Sequence, residues 1–226
     1  MAVDSLHTHL VEELIDLLDA ETQLTKALPK MARSATTPVL KTAFQRHLSE
    51  TRAQIGRLNK ALRQLGERPR RKTCEAMEGL LTEGESVMKR TPEGALRDAV
   101  MITAAQKVEH YEMASYGTAR TYAQVLGENG VARLLAQSLK EEKTTDGKLT
   151  AIAERSVNED AAEEWRAQDD EGGLGEATEW LGGAVQAASR QLTGAARRGA
   201  ASLGLAQKRS TRRGQRKRGA TQRSRM

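Results

Sequence analysis

The sequence predicts an all-α fold: a four-helix bundle of two antiparallel hairpins joined by one long crossover. Three observations predict it. The composition is rich in Ala, Leu, Glu, Lys, Arg and Gln and holds only 3% aromatic residues, which favours helix over strand. Apolar residues recur at helical spacing in four long segments. The connections between these segments are short, long, short.

Helix A is expected over about Ser5–Arg33, with Leu6, Leu10, Leu14, Leu17, Leu24, Leu28 and Met31 on one stripe. Pro29, near its end, is expected to kink or end it. Thr37-Pro38 reads as an N-cap followed by proline at the first helical position. Helix B follows to about Leu65, and Gly66 is its natural stop. The stretch Glu67–Arg90 opens as a basic loop and continues as a short amphipathic segment, CEAMEGLLTEGESVMKR. Thr91-Pro92-Glu93 restarts a helix by the same Thr-Pro device, so helix C is expected over Pro92–Leu126 and helix D over Gly130–Arg155. The two-dozen-residue link between B and C is long enough to cross the bundle, which is the ferritin-like arrangement of four helices.

These readings give three regions. Residues 1–155 form the bundle. Residues 156–179 form an acidic linker with nine Asp/Glu against one Arg. Residues 180–226 form a basic low-complexity tail, with a weak amphipathic helix expected at 180–206 and disorder beyond. The formal net charge of +6 conceals this division, because Leu181–Met226 carries twelve Lys/Arg and no acid. The tail suits non-specific DNA or RNA. An anionic membrane surface and the protein's own acidic linker are the competing partners. No apolar run reaches membrane-spanning length, and the N-terminus has no signal-peptide pattern, so a cytoplasmic location is expected. A single cysteine, Cys74, excludes an internal disulfide framework and reads as a structural thiol.

The functional reading rests on polar residues inside the apolar stripes. Glu21, Glu50, Glu109 and Glu142 each fall within about two residues of the middle of their helices. At about 1.5 Å of rise per residue they lie within a few Å of one plane. On helix A, Glu21 is seven residues from both Leu14 and Leu28. Helix C carries Ile102, Glu109 and Tyr116 at seven-residue intervals, with Ala105 and Glu112 one row over. Helix D carries Leu135, Glu142 and Leu149, with Asp146 one turn beyond Glu142. On helix B, Glu50 lies at the edge of the stripe while His47 and Gln54 lie deeper, so the ligand from this helix is open among the three.

A cluster of uncompensated carboxylates is costly to bury, and a pair of metal ions is the direct remedy. The set Glu21, Glu50, Glu109, Glu112, Glu142, Asp146 and His47 suits two Fe or Mn ions better than zinc. The bland alternative is pairing with Lys107, Arg57 or Lys143, which would leave a helical dimerisation or interaction protein without metal. His7, His9 and His110 fall off the plane or the core face, and Tyr116 is expected to be a core residue.

The segments DAETQLTKALPKMA (19–32), HLSETRAQIGRL (47–58), CEAMEGLL (74–81), AAQKVEHYEMASYGT (104–118) and EEKTTDGKL (141–149) resemble the bacterial YciE/YciF stress-protein family of the ferritin-like superfamily. The resemblance implies a dimerising bundle with a di-metal carboxylate site and a stress-response role without an established reaction. It implies ligands at Glu21, Glu50, Glu109, Glu112 and Glu142. The Glu-x-x-Glu of helix C is similar to rubrerythrin-type sites. Ala53 and Thr145 stand where superfamily members usually carry histidine, with His47 and Asp146 as the available substitutes. Two irons held by such a site would react with peroxide or O2, which is the expected substrate on chemical grounds.

Overall fold

The computed structural model describes residues 3–172. The helices are α1 (Leu6–Ser34), α2 (Pro38–Gln64), α3 (Glu75–Arg90), α4 (Ala95–Val125), α5 (Asn129–Ile152) and α6 (Asn158–Gly172), with a π-helical turn at Ala153–Val157. The compact unit that holds the bundle ends at Ala167. The basic tail and its expected amphipathic helix lie outside the described residues, as does the end of the acidic segment.

The core is divided into two apolar clusters, and the order in which each helix meets them gives the topology. Helix α1 passes from a cluster around Leu10, Leu14 and Leu17 to one around Leu24 and Leu28. Helix α2 runs the opposite way, from Leu40 and Phe44 to Leu58 and Leu62. Helix α4 repeats the direction of α2, from Met101 and Ile102 to Tyr116 and Ala123, and α5 returns from Val131 and Leu135 to Leu149. Helices α2 and α4 are therefore parallel, and the chain between them must travel back along the bundle. This is the ferritin-like up-down-down-up order. Helix α3 rides on that crossover and packs on α4 and α1, with Cys74 and Met77 buried beneath it.

Three local expectations are corrected. Pro29 does not end α1, which continues to Ser34. Helix α4 begins at Ala95 rather than Pro92, because Gly94 adopts φ 137° and the Glu164 carboxylate accepts from the N–H groups of Ala95 (2.8 Å) and Leu96 (3.2 Å). A Cβ at position 94 would lie 2.7 Å from Glu164 Oε1, which the flexible Glu164 side chain could yield, so it is the backbone angle that demands glycine there. Helix α2 does start at Pro38, but the Thr37 side chain makes no cap. The buried Asp98 instead accepts from the N–H groups of Thr36 and Thr37, each at 2.7 Å. Two helix starts are thus capped by carboxylates more than 60 residues away in sequence.

The segment read as an acidic linker is helical over Asn158–Gly172. The π-helical turn keeps Val157 buried against the core as the chain leaves α5. Among the described residues no helix is long and apolar enough to cross a membrane.

Candidate metal centre

Between the two apolar clusters lies a polar layer to which all four long helices contribute. Helix α1 supplies Glu21; α2 supplies His47, Thr51 and Gln54; α4 supplies Glu109 and Glu112; α5 supplies Glu142 and Thr145. Each helix keeps its 3.6-residue period through the layer, so these side chains enter the interior because the apolar residues one and two turns away do. On α2 the stripe reads Phe44, His47, Thr51, Gln54, Leu58 without interruption, and every member is buried.

His47, Glu109, Glu112 and Glu142 each offer a ligand atom, and these atoms all lie within 4.8 Å of one another. His47 Nδ1 is 3.2 Å from Glu109 Oε1, and His47 Nε2 is 4.0 Å from Glu142 Oε2. Glu21 is fully buried beside this group and accepts a 2.6 Å hydrogen bond from the Tyr116 hydroxyl. Gln54 donates through Nε2 to Glu142 Oε1. Of the ten side-chain oxygens and nitrogens on Glu21, His47, Glu109, Glu112 and Glu142, eight are buried with no hydrogen-bond partner. Native proteins rarely tolerate one such atom without a reason.

Burial pushes the Glu109 carboxyl up to about 10, and the nearby Glu142 charge adds to the effect. Burial raises Glu142 to about 8. Glu21 and Glu112 stand well above the ordinary carboxylate range, through burial first and then through the charges of Glu142 and Glu21 respectively. Burial also pulls the His47 imidazole down to about 4. Without cations these groups would be neutral acids around a neutral imidazole near pH 7. The donor set fits a metal ion: the orphaned oxygens and imidazole nitrogens of His47, Glu109, Glu112 and Glu142 could hold it, and Glu21 stands ready beside them.

The other expected members lie at the edge of the layer, close enough for the Glu50 charge to act on His47 and Glu142 and the Asp146 charge on Glu109. Glu50 is partly exposed at the edge of α2, where it pairs with Arg46 (3.1 Å) and accepts from Thr145 Oγ1 (3.3 Å). Asp146 is also partly exposed and meets Gln106 Nε2 (3.0 Å) and His110 Nε2 (3.4 Å). On helix α2 the residues facing the cluster are His47 and Gln54. Thr51, fully buried with an unpartnered hydroxyl, was not singled out from sequence, although it continues the apolar spacing. Tyr116 is in the core as expected, but it is also the hydrogen-bond donor that fixes Glu21.

The expected counter-charges are used elsewhere. Arg57 binds Ser138 Oγ (3.0 Å) and Glu141, and Lys107 pairs with Glu83. Lys143 is exposed. Among the described residues no Lys or Arg forms an ion pair with the cluster. Cys74 is a buried free thiol whose Sγ lies 3.0 Å from Tyr111 Oη, and that phenol donates to Asp16 (2.8 Å).

Known proteins share this architecture. The model of the family described as "Domain of unknown function (DUF892)" matches residues 5–162. Protein YciF of Escherichia coli (strain K12) is 45% identical over 160 residues, covering 70% of this chain and 95% of its own length. The crystal structure of the E. coli stress protein YciF superposes with a TM-score of 0.67 at 44% identity, covering 69% of this chain and 99% of that one. YcfI from Rhodopseudomonas palustris follows with a TM-score of 0.64 at 38% identity, covering 66% and 97%. A ferritin-like, diiron-carboxylate protein from Bacillus anthracis str. Ames has a TM-score of 0.53 at 17% identity, covering 67% and 99%, which speaks to the fold alone. The chain therefore belongs to the DUF892 family, the YciE/YciF group of ferritin-like helical bundles.

Proposed function

We propose that this protein is a stress-response di-metal carboxylate protein that holds two iron or manganese ions and acts on peroxide or O2. The observation that carries the reading is the set of eight buried, unpartnered ligand atoms on five residues with no Lys or Arg paired to them. Four ionised carboxylates and one neutral imidazole would balance two divalent cations, whereas a single ion would leave two of the carboxyls protonated. Hard oxygen donors with one imidazole suit iron or manganese. When bound, such a pair supplies Lewis acidity and electrons to an O–O bond.

The chain's own residues do the rest. His47, Glu109, Glu112 and Glu142 converge from three helices, and Tyr116 fixes one oxygen of Glu21 while leaving the other free. Gln54 orients Glu142. The apolar clusters pack against the layer on either side. Homodimerisation and a cytoplasmic location belong to the same reading, the latter supported by the single free thiol Cys74. The tail, with twelve Lys/Arg and no acid after Trp180, is proposed to hold DNA or RNA without sequence preference. A helical interaction protein without metal is the alternative, and Thr145 in place of a histidine favours it.

Elemental analysis of the full chain purified from metal-replete cells decides between them. About two Fe or Mn per chain is expected. A folded protein with no metal would overturn the site. Glu109→Gln should abolish uptake, and retained uptake would remove helix α4 from the ligand set.

A further inference from the structure

Where α3 crosses α1 and α4, a half-open cavity of about 330 Å3 reaches the carboxylate layer. That volume lies at the lower end of small-molecule sites. Its walls are apolar and include Leu24, Leu28, Met31, Met88, Met101 and Val108. Three of these are methionines, which adapt to a flexible apolar guest. At the buried end stand His47 and Glu109, 2% and 0% exposed, whose nitrogens and oxygens have no hydrogen-bond partner. At the exposed rim stand Lys26, Lys30 and Glu85. Glu85 is held by Lys89 at 2.9 Å and also feels the Lys30 charge, and among the described residues neither Lys26 nor Lys30 forms a direct ion pair. The cavity thus has a cationic mouth, an apolar shaft and a ligating floor.

We propose that this cavity binds an amphipathic monocarboxylate with a medium-length alkyl chain. Its carboxylate sits at Lys26 and Lys30, and its chain lies along the methionine-bearing walls without satisfying the polar floor. The inference rests on the di-metal reading only in taking the floor of the cavity as a metal centre, and it names a ligand of the cavity rather than a reaction. Hydrogen peroxide or O2 alone makes no use of the wall, because burying apolar surface rewards only a guest that has some. A neutral alkane makes no use of the lysines.

The probe is decanoate, titrated calorimetrically into the purified full-length chain below its micellar concentration, with decanol as the neutral control. One saturable site per chain is expected, with decanol weaker by about tenfold or more. Ala27→Phe, which fills the shaft from α1, should weaken decanoate by about tenfold or more. Lys26→Glu/Lys30→Glu should do the same while altering only exposed side chains, so it remains informative if the cavity variant fails to fold. No saturable binding, equal binding of decanol, or unchanged affinity in the lysine variant would overturn the proposal. So would a dimer weakened by Ala27→Phe in a chain that ignores decanoate, since a second copy would then fill the cavity. Metal content is measured on the same samples. Decanoate binding by a metal-free chain supports this site and overturns the di-metal reading, and metal without decanoate binding does the reverse.

Discussion

The Tyr116 hydroxyl donates a 2.6 Å hydrogen bond to Oε1 of Glu21, joining α4 to α1 inside the polar layer. The other Glu21 oxygen has no partner. The phenol therefore aims the carboxylate rather than neutralising it, and its proton is held tightly because burial and the Glu21 charge raise its pKa well above the usual value. Tyr116→Phe preserves the packing and removes only this bond. Metal affinity should fall by about 10-fold or more, the range for losing a group that orients a ligand. A competition titration against a chelator measures it, and an unchanged affinity would return Tyr116 to a packing role.

The metal-free chain should lose stability as pH rises above neutrality. Glu109 and Glu142 have ordinary values of 4.5 and folded-state values of about 10 and about 8. Between those limits the native state binds more protons than the unfolded one, so unfolding becomes easier with each step up in pH. His47 acts in the opposite sense, since its value falls from 6.5 to about 4 and it favours folding as pH rises through that window. From about pH 6.5 to 9 the raised carboxyls, joined near the top by the raised Cys74 thiol, all act in this direction, so the apo melting temperature should fall. Cations replace the protons, so the loaded protein should melt at a nearly constant temperature over the same range. Paired thermal scans check this, and an apo protein whose stability rises from pH 7 to 9 would contradict it.

Asp98→Ala should be among the more damaging single changes remote from the polar layer. Its fully buried carboxylate satisfies the Thr36 and Thr37 N–H groups that open α2. Removing it strands two donors at a helix start, for a loss of roughly 2–4 kcal/mol. Denaturant unfolding measures the loss. Glu164→Ala removes the equivalent cap from α4 at a partly exposed site, so its effect should be smaller, about 1 kcal/mol.

Truncation after Glu179 should abolish retardation of duplex DNA at low salt and leave metal content intact. Retention by the full chain should weaken steeply with added salt, as expected for phosphate contacts. Retardation that survives truncation would place the nucleic-acid surface on the bundle.

The long helices and the central glutamates were legible because seven-residue spacing carries a side chain almost twice round a helix and back to the same face. Glu21, Glu109, Glu112 and Glu142 follow that rule, and all are buried. Glu50 was drawn in by its height, yet its angle on α2 turns it toward Arg46, while His47 three residues earlier continues the Phe44–Leu58 stripe. Height along a helix is easy to read from sequence; a small angular offset at the edge of a stripe is not. Asp146 likewise stands at the edge of its stripe, partly exposed beside His110. The caps supplied by Asp98 and Glu164 could not be read at all, because no local pattern ties a carboxylate to a helix start more than 60 residues away. The acidic composition of residues 156–179 suggested a linker, whereas Val157 and Glu164 anchor a helix there through contacts no periodicity announces.

The polar layer also sets how the bundle comes apart. Apolar packing is continuous within each cluster but is interrupted where the four carboxylates and His47 span the interior. In the metal-free chain that seam transmits little cohesion, so the end bearing Leu14, Leu62 and Leu135 and the end bearing Leu28, Phe44 and Leu149 should open as separate cooperative units. Amide exchange would then show two protection levels along every long helix, with the step near residues 21, 51, 110 and 142. Ligands shared across the seam would fuse the two units into one, so the metal would act on mechanical unity as much as on reactivity.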